Sequence, residues 1–313
     1  MKLFAGIDGG QTATAAVVGA EDGRIIGRGE AGPADEIGQM PHSTRLRDAL
    51  RDALANALRN AKLDENARLT SVVAGVSGYE GRVYGAQPQI NAGKFALVHD
   101  ASVAHAAALG GAPGVTIVCG TGSVAYGLGD QGETVLVGGW GYLFGDAGSA
   151  FWIGRRALER AMRDADVALP SPLRAALLTH FARTSEREIA RAVYAGEISR
   201  ADVAAFAPRA IALARDGTAD ARAIVDQAAD ALAWLGALAA RRLHGNKRVL
   251  PGPINIALTG GLTLDSWFYD ALCARLSDRL PEGVVVKARY ESATGALLLA
   301  YRQAGVAVQQ IRG

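Results

Sequence analysis

Several features are scarce in this sequence, and each scarcity excludes a class of protein. Its 313 residues include only two cysteines, Cys119 and Cys273, with no spacing typical of a disulfide framework or a cysteine-based zinc site. Both cysteines lie in apolar runs and are expected to be buried as small hydrophobic residues. The formal net charge is only +2, so no excess of positive charge indicates a nucleic-acid partner.

Long apolar runs are also missing. No uninterrupted apolar run reaches the length of a membrane span, and the run at 231–240 is too short for one. The first ten residues are only briefly apolar and lack the pattern of a secretory leader. We therefore expect a cytoplasmic protein with no membrane partner. Hydrophobic residues make up 50% of the chain and charged residues 20%, which is typical of a globular protein with one large or two medium domains.

The chain opens with a strand, a polar loop and a second strand. Residues 3–7 form a short apolar run, residues 8–12 read Asp-Gly-Gly-Gln-Thr, and residues 13–18 are apolar again. Small residues in such a loop let backbone N–H groups and the Thr12 hydroxyl face a phosphate. Asp8 is a carboxylate of the kind that holds Mg²⁺ through water. An ordinary Asp-Gly turn is the simpler interpretation when this loop is taken alone.

The same plan returns at residues 115–137. A strand leads into Gly-Thr-Gly-Ser at 120–123, and a second strand, a Gln-Gly turn and a return strand follow. The spacing from loop to turn is similar in both places. Two such units predict a duplicated α/β fold with one phosphate loop from each half.

Polar residues follow two further predicted strands. Ser77 and Gly78 come after the run at 69–76, and His99 and Asp100 come after the apolar run at 95–98. Ligands bind at the carboxyl ends of the strands in open α/β sheets, so Asp100 is placed to accept a proton from a substrate hydroxyl. Capping of the helix predicted at 101–109 is a second, compatible role.

The remaining chain is predicted to be mostly helical between residues 147 and 244, with its charges on solvated faces. The predicted helices include one at 201–214. A strand at 254–258 then ends in Thr259-Gly260-Gly261, before a helix predicted at 264–280. Glycines at such a point admit a nucleotide next to the backbone, although a Gly-Gly pair alone is a weak signal.

Residues 138–152 read GGWGYLFGDAGSAFW. A stretch so rich in glycine cannot form a regular element, and it is tolerated where the backbone approaches a ligand or needs a positive φ. The lone Trp140 and Asp146 inside it indicate a flat, polar ligand such as a sugar. A tight structural turn beneath a helix explains the stretch equally well on its own.

Taken together, these residues resemble the actin-like, Hsp70-like and hexokinase-like ATPase superfamily. Within it the sequence is most similar to the N-acetylglucosamine kinase branch, which includes bacterial glucosamine kinases and has the BadF/BadG/BcrA/BcrD type of ATPase domain. The similarity rests on His-Asp-Ala at 99–101, Gly-Thr-Gly-Ser at 120–123 and the run at 138–152. It covers nearly the whole chain, in the family's order and approximate spacing.

The resemblance implies a two-domain architecture and a set of ligands. It implies two ribonuclease-H-like, actin-like ATPase domains with a central cleft. The first would span residues 1–103 with about 293–313, and the second residues 104–292 with a helical region at about 150–245. ATP and Mg²⁺ are the implied cofactors, a small sugar the implied substrate, and a homodimer the implied assembly.

The resemblance also implies the site residues. Asp100 would be the catalytic base that takes the proton from the sugar 6-hydroxyl, and Asp8 and Asp100 would place Mg²⁺. The implied ATP-binding residues are Gly9, Gly10, Gln11, Thr12, Gly120, Thr121, Gly122, Gly260 and Gly261. The implied sugar-binding residues are Ser77, Gly78, Thr121, Gly139, Trp140 and Asp146.

Two departures from the family pattern leave the acceptor sugar open. Gln11 stands where the family usually has glycine. The loop at 32–38 lacks the asparagine often found there for sugar contact, and Asp35 or Glu36 is the expected substitute. An acidic loop would suit the ammonium group of glucosamine. The implied reaction is therefore phosphorylation of the 6-hydroxyl of N-acetylglucosamine, with glucosamine or another hexose derivative as the alternative.

Two functions of other classes share this ATPase core. An ATPase activator of a radical dehydratase or reductase needs cysteines that hold an iron–sulfur cluster, and Cys119 and Cys273 do not fit that role. A non-catalytic sugar sensor is the other alternative, and the retention of both Asp8 and Asp100 argues against it.

Overall fold

The computed structural model describes residues 2–35, 40–247, 249–308 and 310–313. Packing divides the chain into two units, Met1–Thr116 with Lys287–Gly313 and Ile117–Val286. The domain limits implied by the family resemblance, near residues 103 and 293, stay a prediction.

The first unit is built on a five-stranded sheet. Its strands are β1 (Leu3–Gly9), β2 (Thr14–Ala20), β3 (Ile25–Ala31), β4 (Leu69–Val76) and β5 (Ala92–His99), and its helices are α1 (Arg45–Asn60), α2 (Asp100–Leu109) and α10 (Ser292–Gln303). The strand order is β3-β2-β1-β4-β5. Strand β1 is antiparallel to β2 and parallel to β4, and β4 is parallel to β5. The carboxyl ends of β1, β4 and β5 therefore meet at one edge of the sheet.

Helices pack on this sheet because its central strands are apolar on both faces. Helix α1 packs on β2 and β3 through its buried leucines, which recur every four residues from Leu46 to Leu58. Helix α10 packs on β1 and β4. Gly6 permits this contact, since a Cβ atom there would overlap the backbone of Ala293 and Leu297.

The second unit is built on another five-stranded sheet. Its strands are β6 (Gly114–Cys119, which begins just before the unit boundary), β7 (Ser123–Leu128), β8 (Thr134–Gly138), β9 (Ile254–Thr259) and β10 (Gly283–Val286). Its helices are α3 (Ala150–Asp166), α4 (Pro172–His180), α5 (Glu186–Tyr194), α6 (Arg200–Ala204), α7 (Ala207–Arg215), α8 (Ala219–Leu243) and α9 (Ser266–Arg279). The order β8-β7-β6-β9-β10 repeats the order β3-β2-β1-β4-β5 of the first unit. This repetition confirms the predicted duplication and the α/β fold class.

Two helices differ from the prediction. The helix expected at 201–214 is broken into α6 and α7, and Pro208 lies in the first turn of α7, where its missing N–H costs no hydrogen bond. The helix expected from residue 264 begins at Ser266, because the side chain of Asp265 caps it by accepting the Phe268 N–H at 3.0 Å. Residues Gly261–Leu264 form a 3-10 turn instead.

Helix α8 is long and apolar enough to cross a membrane by length and composition alone. Of its most apolar window, 61% is buried within the protein. The helix packs against α7, α9, β7 and β8 of its own unit. This is the environment of a core helix in a globular protein.

Candidate functional site

Three of the predicted site residues meet at the carboxyl edge of the first sheet. Asp8 lies near the end of β1, Ser77 follows β4, and Asp100 follows β5. The register pairs Gly9 with Val76, and Val76 with His99, so the three strand ends are adjacent. The Ser77 N–H donates to the Gly9 carbonyl at 2.9 Å, which fixes the turn after β4 against β1.

Asp100 is the first residue of α2, and His99 is the residue that caps this helix. The Nδ1 atom of His99 lies 2.8 Å from Oδ1 of Asp100 and 3.1 Å from the Ala101 nitrogen. One ring nitrogen cannot donate to the carboxylate and accept the amide hydrogen at the same time. Burial lowers the pKa of His99, but the hydrogen bond and negative charge of Asp100 outweigh it, so the pKa is raised overall.

Asp100 has an unused acceptor. Apart from the His99 contact, its Oδ1 atom is buried and accepts no hydrogen bond from the residues that the structure describes. A buried acceptor without a donor is costly unless a ligand supplies one. The predicted capping role belongs to His99, so the carboxylate is left for another partner.

Asp8 and Asp100 interact as two nearby carboxylates. Burial, and then the charge of Asp100, raise the pKa of Asp8 to about 7, although a hydrogen bond from Ser292 acts in the opposite direction. A cation would relieve this repulsion. Mg²⁺ keeps most of its water shell and takes one or two carboxylates together with phosphate oxygens, so this pair fits the ion.

The loop after β1 has two features that bear on ligand binding. It is closed by a 3.0 Å hydrogen bond from the Gly10 N–H to the Ala13 carbonyl, while the N–H groups of Gln11 and Thr12 have no acceptor among the described residues. The Gln11 side chain donates through Nε2 to Oγ of Ser77 at 3.3 Å, and its Oε1 is buried without a partner in that same part of the chain.

The loop after β6 repeats the first of these features. Its Gly120 N–H donates to the Gly122 carbonyl at 3.1 Å, and the N–H groups of Thr121 and Gly122 have no acceptor within the described ranges. Successive unpaired N–H groups form a concavity that binds anions. Phosphate binding by these two loops stays a prediction.

Helix α3 holds the loop after β6 in place. The N–H groups of Ala150 and Phe151, in the first turn of this helix, donate to the carbonyls of Gly120 and Thr121 at 2.9 and 3.3 Å. Oγ of Ser123 donates to the Ala147 carbonyl at 3.0 Å. These bonds turn the two loop carbonyls toward the helix.

Residues 138–149 comprise the last residue of β8 and the connection from it to α3. Five of them have positive φ, namely Gly138, Gly139, Gly141, Asp146 and Gly148. This explains the glycine content, since only glycine adopts such backbone at little cost. The Gly139 N–H donates to the Ser123 carbonyl at 3.2 Å, so the connection is joined to the loop after β6.

The tip of this connection exposes large apolar side chains. Trp140 is 77% exposed, and Leu143 and Phe144 are exposed as well. Stacking of Trp140 on a sugar stays a prediction.

Asp146 is placed differently from Trp140. It is only 6% exposed and has φ +55°, an uncommon backbone conformation for a residue with a side chain. Its Oδ1 accepts the Ser123 N–H at 3.2 Å, and its Oδ2 lies 2.7 Å from an Arg200 guanidinium nitrogen. The carboxylate thus binds the Ser123 N–H after β6 and the guanidinium of Arg200, and its role as a sugar ligand stays a prediction.

Gly260 and Gly261 follow β9 in the second unit. Gly260 has φ +99° and lies directly against the backbone of Cys119 and Gly120. Gly261 begins the 3-10 turn and has open space around its Cα. The predicted nucleotide motif is therefore packed against the end of β6, where the second phosphate loop starts.

The acidic loop at 32–38 is described only in part. Asp35 is buried, and its Oδ1 pairs with Arg45 at 2.8 Å, which neutralises its charge. Glu36 lies outside the described residues.

The expectation that charges in the helical region lie on solvated faces is wrong at several positions. Asp164 is buried and pairs with Arg160 at 2.9 Å. Arg200, which the sequence did not single out, pairs with the buried Asp146. The available signal was Ser-Arg-Ala-Asp at 199–202, a capping box that fixes Arg200 at the first position of α6.

Solved structures with the same fold support this architecture. The chain aligns with a candidate N-acetylglucosamine kinase from Chromobacterium violaceum at 28% identity, over 96% of this chain and 99% of that one, with a TM-score of 0.75. It also shares its fold with a ROK family glucokinase from Streptomyces griseus, solved with glucose and AMPPNP, at 18% identity and a TM-score of 0.60, over 96% and 99% of the two chains.

Similarity to known sequences extends over the same region. An N-acetyl-D-glucosamine kinase from Dictyostelium discoideum is 25% identical over 96% of this chain and 98% of its own length. An N-acetylmuramic acid/N-acetylglucosamine kinase from Clostridium acetobutylicum is 26% identical over 66% of this chain and 67% of its own. A sequence model of the BadF/BadG/BcrA/BcrD ATPase family matches residues 5–300. The chain therefore belongs to the BadF/BadG/BcrA/BcrD ATPase family.

Proposed function

We propose that this protein is an ATP-dependent sugar kinase that phosphorylates the 6-hydroxyl of N-acetylglucosamine. The observation that carries the proposal is the carboxyl edge of the first sheet. There, Asp100 presents a buried oxygen whose polar neighbour among the described residues is Nδ1 of His99, next to Asp8 and a loop with unpaired N–H groups. The relatives that are named as N-acetylglucosamine kinases over most of the chain give the acceptor class.

The proposed roles follow from what each group is able to bind. Oδ1 of Asp100 accepts the hydrogen of the sugar 6-hydroxyl and takes its proton as the hydroxyl oxygen bonds to the γ-phosphorus of ATP. The bond from that phosphorus to the oxygen of the β-phosphate breaks, and ADP leaves. The unpaired N–H groups at Gln11, Thr12, Thr121 and Gly122 bind phosphate oxygens. Phosphoryl transfer depends mainly on positioning and on charge stabilisation, so one base and a few anion-binding N–H groups are chemically sufficient.

Asp8 and Asp100 are the residues that would hold Mg²⁺. When bound, the ion neutralises charge on the transferring phosphoryl group. Ser292 donates a hydrogen bond to Asp8 and keeps this carboxylate oriented.

The state of Asp35 favours an N-acetyl sugar over glucosamine. A free carboxylate would attract the ammonium group of glucosamine, but Asp35 is already paired with Arg45. N-acetylmuramic acid is the second candidate acceptor, because one relative is named as a kinase for both sugars. Cytoplasmic location and a homodimeric assembly complete the proposal.

A coupled assay of ADP release tests the proposal directly. Purified protein with MgATP is offered N-acetylglucosamine, glucosamine, N-acetylmannosamine, glucose, N-acetylmuramic acid and its anhydro form in turn. We expect N-acetylglucosamine to give the highest kcat/KM, with a product whose phosphorus couples to the C6 protons in NMR. ADP release at the sugar-free rate with every acceptor would contradict the proposal.

The iron content of the same preparation tests the activator alternative. Cys119 is fully buried, and within the described ranges no group of three or more His, Cys, Asp or Glu side chains is arranged to hold a metal. We expect a colourless protein without iron after anaerobic purification. A stoichiometric iron–sulfur cluster would favour the activator function instead.

A further inference from the structure

We propose that Arg200 is a positioning residue for Asp146 and that it joins the helical region to the sugar-binding and phosphate-binding loops of the second unit. The proposal rests on the proposed function, because it assigns Arg200 a role in the binding of the acceptor sugar. Arg200 does not act on the reacting atoms. It acts through the carboxylate of Asp146 and through the loop that carries Trp140.

The first argument is the environment of the Arg200 guanidinium. One of its terminal nitrogens lies 2.7 Å from Oδ2 of Asp146, and this carboxylate is almost completely buried. The guanidinium carbon also lies 4.8 Å from the centre of the Tyr142 ring and 5.5 Å from that of Phe151. These two rings meet edge to face at 5.4 Å. Arg200 is therefore held by an ion pair and by two aromatic rings, one in the connection between β8 and α3 and one in the first turn of α3.

The second argument is that Asp146 needs external support. Its φ of +55° is uncommon for a residue other than glycine and persists where the surroundings enforce it. Arg200 binds one carboxylate oxygen, and the Ser123 N–H binds the other. A Cβ atom on Gly122 would lie 2.9 Å from Oδ2 of Asp146, so the phosphate loop also closes around this carboxylate.

The third argument is the position of Arg200 in the chain. It is the first residue of α6, a five-residue helix fixed by a capping box between Ser199 and Asp202. Helix α6 packs on α3, and α3 donates hydrogen bonds to Gly120 and Thr121. Arg200 thus contacts the connection between β8 and α3 from a helix that is itself packed on α3. Without the Arg200 side chain, the buried carboxylate of Asp146 would lose its ion pair, and the loop would rearrange to expose that charge.

Steady-state kinetics of Arg200→Ala and Arg200→Lys test the positioning role. We expect Arg200→Ala to raise the KM for N-acetylglucosamine by at least about ten-fold, because a charged hydrogen bond and its orientation are lost, while kcat falls by less than about three-fold. Arg200→Lys keeps the charge but loses the contacts of the guanidinium with the Tyr142 and Phe151 rings. The KM of Arg200→Lys for N-acetylglucosamine should therefore lie between those of the wild type and Arg200→Ala.

Arg222→Ala is the matched control. Arg222 also combines an ion pair, to Asp226 at 3.0 Å, with an aromatic contact, to the Trp267 ring at 4.9 Å, but it lies on α8. Its replacement should leave both kinetic constants unchanged. If Arg200→Ala and Arg222→Ala change the thermal midpoint alike and neither changes the KM, Arg200 has only a structural role and the proposal is wrong.

A double-mutant cycle tests whether Arg200 acts through Asp146. The double variant Arg200→Ala/Asp146→Ala should have the same KM as Asp146→Ala alone, since the first residue has nothing left to position. Additive effects of the two substitutions would overturn the proposal.

Hydrogen exchange without any substrate separates this proposal from the proposed function. Arg200→Ala should speed amide exchange in peptides that cover residues 119–124 and 138–150, relative to the wild type and to Arg222→Ala. If the wild type phosphorylates no sugar, the proposed function fails, and the exchange rates alone decide whether Arg200 holds this loop. Unchanged exchange in both peptides would refute the role of Arg200 in either case.

Discussion

Gly260 and Cys119 lie backbone against backbone. A Cβ atom built on Gly260 would be 2.6 Å from the carbonyl carbon and oxygen of Cys119 and 2.9 Å from the nitrogen of Gly120. The φ of Gly260 is +99°, which disfavours any side chain at this position. The turn after β9 therefore packs directly against the start of the loop after β6, with no space for a side chain between them.

Gly260→Ala should damage this contact. We expect a loss of unfolding free energy of about 2 kcal/mol or more, from backbone strain and overlap together, and a raised KM for ATP. Gly261→Ala is the control, because nothing lies within 4 Å of its added Cβ atom. It should change stability by less than about 0.5 kcal/mol. Equal denaturation midpoints for the two variants would contradict this account of the turn.

Asp100→Asn should abolish phosphorylation and leave ATP binding intact. The amide has nearly the same shape but cannot take a proton from the sugar hydroxyl, so kcat should fall by about 10²–10⁴-fold. ADP release gives the rate, and calorimetric titration with a non-hydrolysable ATP analogue gives the affinity. Asp52→Asn, on the exposed face of α1, is the control and should behave as wild type. Full activity of Asp100→Asn would show that Asp100 is not the catalytic base.

The raised pKa of Asp8 predicts a pH-dependent stability in the metal-free protein. The carboxyl has a pKa of about 7 when folded, against its ordinary value of 3.8, so between these values the folded state holds a proton that the unfolded state has lost. Stability must then fall as the pH rises from about 4 to 7, by at most about 4 kcal/mol.

Asp8→Asn isolates this contribution, because its neutral side chain does not titrate. The difference in unfolding free energy between wild type and Asp8→Asn should become less favourable to wild type as the pH rises from 4 to 7. Urea titrations at four or five pH values measure it, and added Mg²⁺ should reduce the effect by favouring the ionised carboxylate. A difference that does not vary with pH would show that Asp8 titrates normally.

Gln11 is predicted to contact the acceptor sugar. One atom of its side-chain amide binds Ser77, and the other is buried without a partner among the described residues, so a ligand hydroxyl or N–H would satisfy it. Gln11→Gly should raise the sugar KM by about ten-fold and change the KM for ATP much less. Gln131→Gly is a matched control in an exposed turn of the second unit. An unchanged sugar KM in Gln11→Gly would assign the residue to the loop structure alone.

Local features of the sequence were enough to predict the duplicated fold. Strand length, the two polar loops and the hairpin turns are short-range signals, and each loop lies directly after the strand that positions it. Asp8 and Asp100 were predicted on the same basis, because the carboxyl ends of parallel strands meet at one edge of the sheet. The break between α6 and α7 was missed, although Pro208 was visible as a signal.

Long-range partners were decided only by the tertiary structure. The sequence alone singled out Asp146 as a polar residue in a glycine-rich connection. An aspartate in that position is as consistent with an exposed, sugar-binding carboxylate as with a buried one in an ion pair. Its pairing with Arg200, 54 residues further along the chain, depends on how α6 packs against α3. No periodicity or spacing in the sequence predicts a contact between residues so far apart along the chain. The sequence thus singled out Asp146 because its signal is local, whereas the packing of α6 against α3 decided which charge holds it in place.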